Sequence, residues 1–102
     1  MSQRGREGPE FTWDSAKAAG NLIKHGVSFE EARTVFANPL AVIREDEMHS
    51  EVEQREIIIG HSFRQRLLFV SFAERENTLR IISARQATSK ERRDYERRVM
   101  FR

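Results

Sequence analysis

A chain of 102 residues, 38% hydrophobic and 33% charged, holds enough apolar residues for one modest core and too few for two. Its longest unbroken apolar runs, Leu67–Val70 among them, fall far short of the ~18 residues that suggest a membrane span, and the lack of cysteine excludes a disulfide framework and thiolate zinc sites. The net charge of +2 conceals an asymmetry: residues 1–61 carry 7 basic and 11 acidic side chains, whereas residues 62–102 carry 11 and 5. Such a split suggests a polyanion site on one face.

Residues 1–9 read as a polar leader ending at Pro9 and contain no apolar segment of the secretory kind, so a reducing, cytoplasmic setting is expected, with residues 10–102 forming a single domain. "EFTW" (10–13) suits a short edge strand. Asp14 is a good N-cap for a helix running to about His25, with Ala18–Leu22 and Ala19–Ile23 at i,i+4 spacing and Gly26 as a left-handed stop. Ser28 and Glu31 form the pattern of a capping box, opening a helix that buries Phe29, Ala32, Val35 and Phe36. "NPL" (38–40) ends that helix, and the pattern turns strand-like.

"LAVIR" (40–44), "EIIIG" (56–60), "RLLFVSFAE" (66–74) and "TLRIISAR" (78–85) are β-rich, and the short links between the last three favour an antiparallel meander. In the last of these, simple alternation places Leu79, Ile81 and Ser83 on one face and Arg80, Ile82 and Ala84 on the other. Thr88 with Glu91 is a second capping box, opening a C-terminal helix so polar that Tyr95 is its one strongly apolar residue between Ser89 and Arg98. The order is β-α-α-β-β-β-β-α, an α+β arrangement with the N-terminal helices on one face of an antiparallel sheet.

The basic residues are mostly arginine; only Lys17, Lys24 and Lys90 are lysine. A guanidinium fork matches phosphate oxygens in pairs and keeps its charge when desolvated. Arginines at sheet ends can simply guard an edge against aggregation, but Arg75, Arg80 and Arg85, with carboxylates and a tyrosine nearby, also suit a phosphate-binding floor. His25, His49 and His61 show no paired metal-ligand spacing, so no metal is expected. No P-loop, nucleophile elbow or dinucleotide fingerprint occurs, and no cofactor is expected. Any catalysis must run on Arg, Lys, Glu, His and Tyr.

"FTWDSAKAAGNLIKHGVSFEEARTVFANPLAV", "HSEVEQREIIIGHS", "RLLFVSFAER" and "RIISARQATSKERRDYE", in this order and spacing, resemble the BrnT family of toxins over about residues 11–96. The resemblance implies a RelE-like fold and a ribonuclease that arrests translation. It also implies a BrnA-type antitoxin with a DNA-binding domain, through which the pair binds its operator. In metal-free RNA cleavage the 2′-hydroxyl attacks the adjacent phosphate, which calls for a base, a cation to stabilise the phosphorane and an acid for the leaving oxygen. On this resemblance Arg80 and Arg85 suit the electrostatic role, Glu74 or Lys24 with His25 the proton transfers, and Tyr95 stacking or proton donation. Arg64, Arg66, Arg75, Arg92, Arg93 and Arg97 are the expected RNA-binding residues. The competing reading is a module that binds nucleic acid or an acidic partner without chemistry.

Overall fold

The last three β-rich runs zip into an antiparallel meander because the links between them are too short for anything but a turn, and the first run joins them antiparallel across a longer link. In the computed structural model, which describes residues 10–49 and 53–100, β1 (Glu10–Thr12), β2 (Val42–Glu45), β3 (Glu56–His61), β4 (Leu67–Arg75) and β5 (Thr78–Gln86) form one sheet in the order β1-β5-β4-β3-β2. The leader expected over residues 1–9 lies outside the described residues. One pairing departs from the expected antiparallel sheet: β1 runs parallel to β5, Phe11 opposite Leu79. The rest of the domain intervenes between these two strands, so no hairpin dictates their relative direction.

The helix signals are met at the backbone. Asp14 accepts the Lys17 N–H at 2.9 Å to start α1 (Ser15–His25), and Gly26, at φ 69°, stops it. Ser28 accepts the Glu31 N–H at 3.0 Å to start α2 (Phe29–Thr34), which tightens into a 3-10 turn over Val35–Ala37. At α3 (Ser89–Met100) the capping box closes in both directions, Glu91 N–H to the Thr88 hydroxyl and Thr88 N–H to the Glu91 carboxylate. At α2 only the first of the two bonds appears, because the Glu31 carboxylate is engaged elsewhere.

Val27, Phe29, Ala32 and Val35 pack on Ile58, Leu68, Val70, Phe72, Leu79, Ile81 and Ala84, forming the main core on one face of the sheet. A smaller cluster on the second face joins Ile57, Ile59 and Leu67 to Tyr95 of α3, with Val42, Phe69 and Val99 at its margin. Helix α3 therefore covers only one end of the second face.

Helix α1 keeps Ala18 against the main core, but its one buried residue is not among those its spacing suggested. Leu22 and Ile23 are 51% and 87% exposed, and the buried position is Asn21. Its amide donates to the carbonyls of Val27 (2.9 Å) and Ala84 (2.8 Å) and accepts the Ala84 N–H at 3.1 Å. β1 reaches only as far as Arg80 along β5. Beyond that point the Asn21 side chain stands in for a neighbouring strand, satisfying a backbone edge that would otherwise be buried without partners.

Strand β5 also carries a β-bulge. Ser83 pairs with Ser71, and the next pair along is Ile81 with Phe72, so Ile82 is the extra residue. An extra residue inverts the inside–outside phase beyond it. Ala84 consequently joins Leu79 and Ile81 in the main core, correcting the simple alternation, which put it on the opposite face.

Replacing Asn21 with Ala should lower unfolding free energy by about 2–3 kcal/mol, because both polar groups of Ala84 lose their partner. Ile23→Ser on the same helix should stay within about 0.5 kcal/mol. Urea denaturation of the two variants checks this; equal losses would contradict the assignment of Asn21 as the anchor.

Candidate nucleic-acid interface

The phase inversion at Ile82 decides where the arginines go. Arg80 precedes the bulge and pairs with Ala73; Arg85 follows it and pairs with Phe69. Five residues apart, they would fall on opposite faces of a regular strand. With the bulge they share the second face, together with Arg75, opposite Thr78, and Arg44, opposite Ile57. Ala73 and Phe69 are four residues apart on β4, so the two arginine positions are separated by about 13 Å along the sheet. Ser71 and Ser83 lie paired between them.

Two depressions mark this face. The first, at the β4–β5 hairpin end, is lined by Glu53, Glu74, Arg75 and Arg80 among others. Arg80 is hydrogen-bonded to Glu53, and that guanidinium holds the Glu53 carboxyl below the usual carboxylate range. In the second, the Arg85 guanidinium lies 4.1 Å from the centroid of the Phe69 ring, with Arg44 at 5.8 Å from the same ring. Arg85 also makes a two-pronged ion pair with Glu91, both bonds 2.9 Å. The hydrogen bonds from Arg85, against the opposing effect of burial, hold Glu91 below the usual range, and the Thr88 N–H adds to them. Two of the four guanidinium groups are thus oriented by carboxylates, whereas Arg44 and Arg75 form no ion pair among the described residues. Guanidinium groups already fixed in direction lose less entropy when a phosphate takes the place of the carboxylate.

The residues named from sequence divide between this face and other places. Arg80, Arg85 and Arg75 come together on it, whereas Glu74 pairs with Leu79 and so falls on the face of the main core, at the edge of the first depression. Lys24 and His25 end α1, which packs over the opposite face, so the sheet stands between them and Arg80 or Arg85. Tyr95 is 6% exposed, and its hydroxyl donates to the Leu40 carbonyl at 3.0 Å. A ring so enclosed anchors α3 and cannot stack on a base in this state. Arg92, Arg93 and Arg97 are exposed along α3. Within that helix Asp94 pairs with Lys90 at 3.1 Å, and Arg92 approaches Glu96 at 3.9 Å. Arg44, Phe69, Ser71 and Ser83 escaped the sequence reading; the register of β2 and β4 against the bulged strand is what brings them in.

Arg66 has a structural post. It binds both oxygens of Glu31, at 2.9 and 2.5 Å, and donates to the Gly26 carbonyl at 3.0 Å. Glu31 is 2% exposed and also accepts from the Ser62 hydroxyl at 2.7 Å; Arg64 stands 3.8 Å away and mostly exposed. This network ties α2 to the β3–β4 turn. The Arg66 hydrogen bonds hold the Glu31 carboxyl below the usual range despite burial, with Ser62 contributing. Among the described residues no group of three or more His, Asp or Glu is placed to hold a metal ion, and no helix is long and apolar enough to cross a membrane.

The fold itself is shared with a solved structure. The chain is similar to the crystal structure of the Brucella abortus ribonuclease toxin, BrnT, at a TM-score of 0.62 and 23% identity, over 79% of this chain and 99% of that one. A comparison with curated proteins gives no match. Residues 13–91 match the family model described as the ribonuclease toxin, BrnT, of type II toxin–antitoxin systems. The chain belongs to the BrnT family.

Arg66→Ala should cost roughly 3 kcal/mol, because it strands a buried carboxylate. The lowered pKa of Glu31 sets the sign with pH: its stabilisation is complete above the ordinary carboxylate pKa and is lost as pH falls through the lowered folded value. Thermal melting of the wild type should therefore decline with acid in that window, and the Arg66→Ala variant should show a weaker decline. An unchanged pH profile would contradict the coupling.

Proposed function

We propose that this toxin is a metal-independent RNA endonuclease that inhibits translation. Its partner in this reading is a BrnA-type antitoxin, which brings the complex to operator DNA through its own DNA-binding domain. The observation that carries the catalytic part is that the bulge in β5 brings Arg80 and Arg85 to one face, the face that Arg44 and Arg75 also share. Successive phosphates of a single strand can follow these four positions, with Arg80 beside the scissile one. The 2′-hydroxyl attacks that phosphate, and the pentacoordinate dianion gains charge that the guanidinium groups of Arg80 and Arg75 are placed to oppose. Glu53, ionised beside Arg80 in the same depression, can take the hydroxyl proton. The P–O5′ bond then breaks, leaving a 2′,3′-cyclic phosphate, and the departing 5′-oxygen takes a proton from solvent. Lys24, His25 and Tyr95 have no part in this scheme.

Purified protein should cleave a long RNA in EDTA. Arg80→Ala should lower the rate about a hundred- to a thousandfold, as expected for loss of a donor to a developing oxyanion, with little change in melting temperature. Arg85→Ala should lower both rate and stability, since Arg85 also holds Glu91 and covers Phe69. A requirement for a divalent ion would refute the metal-free chemistry. Intact RNA despite tight binding would favour the non-catalytic module.

A further inference from the structure

The second depression carries more than positive charge. Its floor is Ile57 and Phe69, the Arg85 guanidinium lies over the Phe69 ring with Arg44 further from it, and its wall is the turn that carries Glu47 and Met48. These are the three chemistries an unpaired nucleotide requires. A base stacks on aromatic rings or guanidinium planes, the phosphate pairs with arginine, and the base edge meets hydrogen-bonding groups at the side. We propose that this groove seats a single RNA nucleotide and selects guanine. The selectivity follows from the wall. Ionised Asp and Glu carboxylates accept hydrogen bonds and donate none. Guanine presents two adjacent N–H donors on its Watson–Crick edge, a match for the two oxygens of one carboxylate, whereas uracil presents a single donor between two acceptors that a carboxylate repels.

Arg44 is central because it forms no ion pair among the described residues and can take the phosphate without displacing a carboxylate. Arg85, by contrast, is held against the ring by Glu91 and serves as a fixed stacking plane. The groove lies beyond Arg85, about four residues along the sheet from Arg80. The selected guanine is thus more than one nucleotide from a phosphate at Arg80. This inference rests on the ribonuclease reading for its RNA ligand, but the two are separable by experiment.

The test uses 2′-O-methyl pentanucleotides with G, A, C or U at the centre of otherwise identical sequence, titrated against the full chain by fluorescence anisotropy. The 2′-O-methyl group removes the nucleophile, so binding is read apart from cleavage. The G-containing oligonucleotide should bind roughly tenfold tighter than the U-containing one, the low end for one bidentate base contact. Glu47 is exposed, so Glu47→Gln tests the wall without disturbing the fold, and it should narrow the G-over-U ratio. Phe69→Leu, which keeps an apolar floor without a π-face, and Arg44→Ala should weaken all four oligonucleotides. Equal affinity for the four bases, or a G preference untouched by Glu47→Gln, overturns the proposal. Cleavage of long RNA by the wild type is measured in parallel. Base-selective binding without cleavage would retain the groove and remove the ribonuclease reading. Cleavage with indifferent binding would do the reverse.

Discussion

The cationic face depends on one unpaired residue, Ile82. A strand has a period of two, and without an extra residue Arg80 and Arg85 would sit on opposite sides of the sheet. The bulge brings them to one side while placing Ala84 under α1 and α2. Both consequences are needed at once. The inward turn of Ala84 is what lets Asn21 reach the edge of β5, and the outward turn of Arg85 is what lays a guanidinium on Phe69. A regular strand would have buried an arginine beneath the helices or exposed an alanine on the cationic face.

Two buried polar groups then hold the helices where they leave that face uncovered. Asn21 fixes α1 to β5, and Glu31 with Arg66 and Ser62 fixes α2 to the β3–β4 turn. Their directionality sets position as apolar contact alone does not, at the cost of strong dependence on every partner being present. Helix α3 is held differently, by Tyr95 and its hydroxyl and by the Arg85–Glu91 pair at its first turn. The same Glu91 caps α3 and orients Arg85, so the start of that helix and the cationic face form one hydrogen-bonded unit.

Much of this was legible beforehand. The caps at Asp14, Ser28 and Thr88, the stop at Gly26 and the four β-rich runs follow from local chemistry, and local chemistry is what a sequence displays. The resemblance carried by "KHGVSFEEA", "RIISAR" and "ERRDYE" pointed to the family. What escaped was everything decided by register. Asn21 looked like one polar residue on an amphipathic helix, and nothing nearby in sequence shows that its partner is Ala84, 63 residues away. Arg66 read as a free cation because its partner Glu31 was already assigned to a capping box. Arg44 and Phe69 are ordinary strand residues until β2, β3 and β4 align them beneath Arg85. Tyr95 was given a part in the chemistry on the family resemblance, whereas α3 has almost nothing else with which to grip the sheet.

The claim that the face built by the bulge is the RNA-binding surface is tested most directly by amide chemical-shift mapping with a non-cleavable 2′-O-methyl RNA. The account predicts perturbations concentrated at Arg44, Ile57, Phe69, Ser71, Arg80, Ser83 and Arg85. Perturbations centred instead on Lys24 and His25 at the end of α1, with those strand positions unmoved, would place the RNA on the opposite side of the sheet and contradict it.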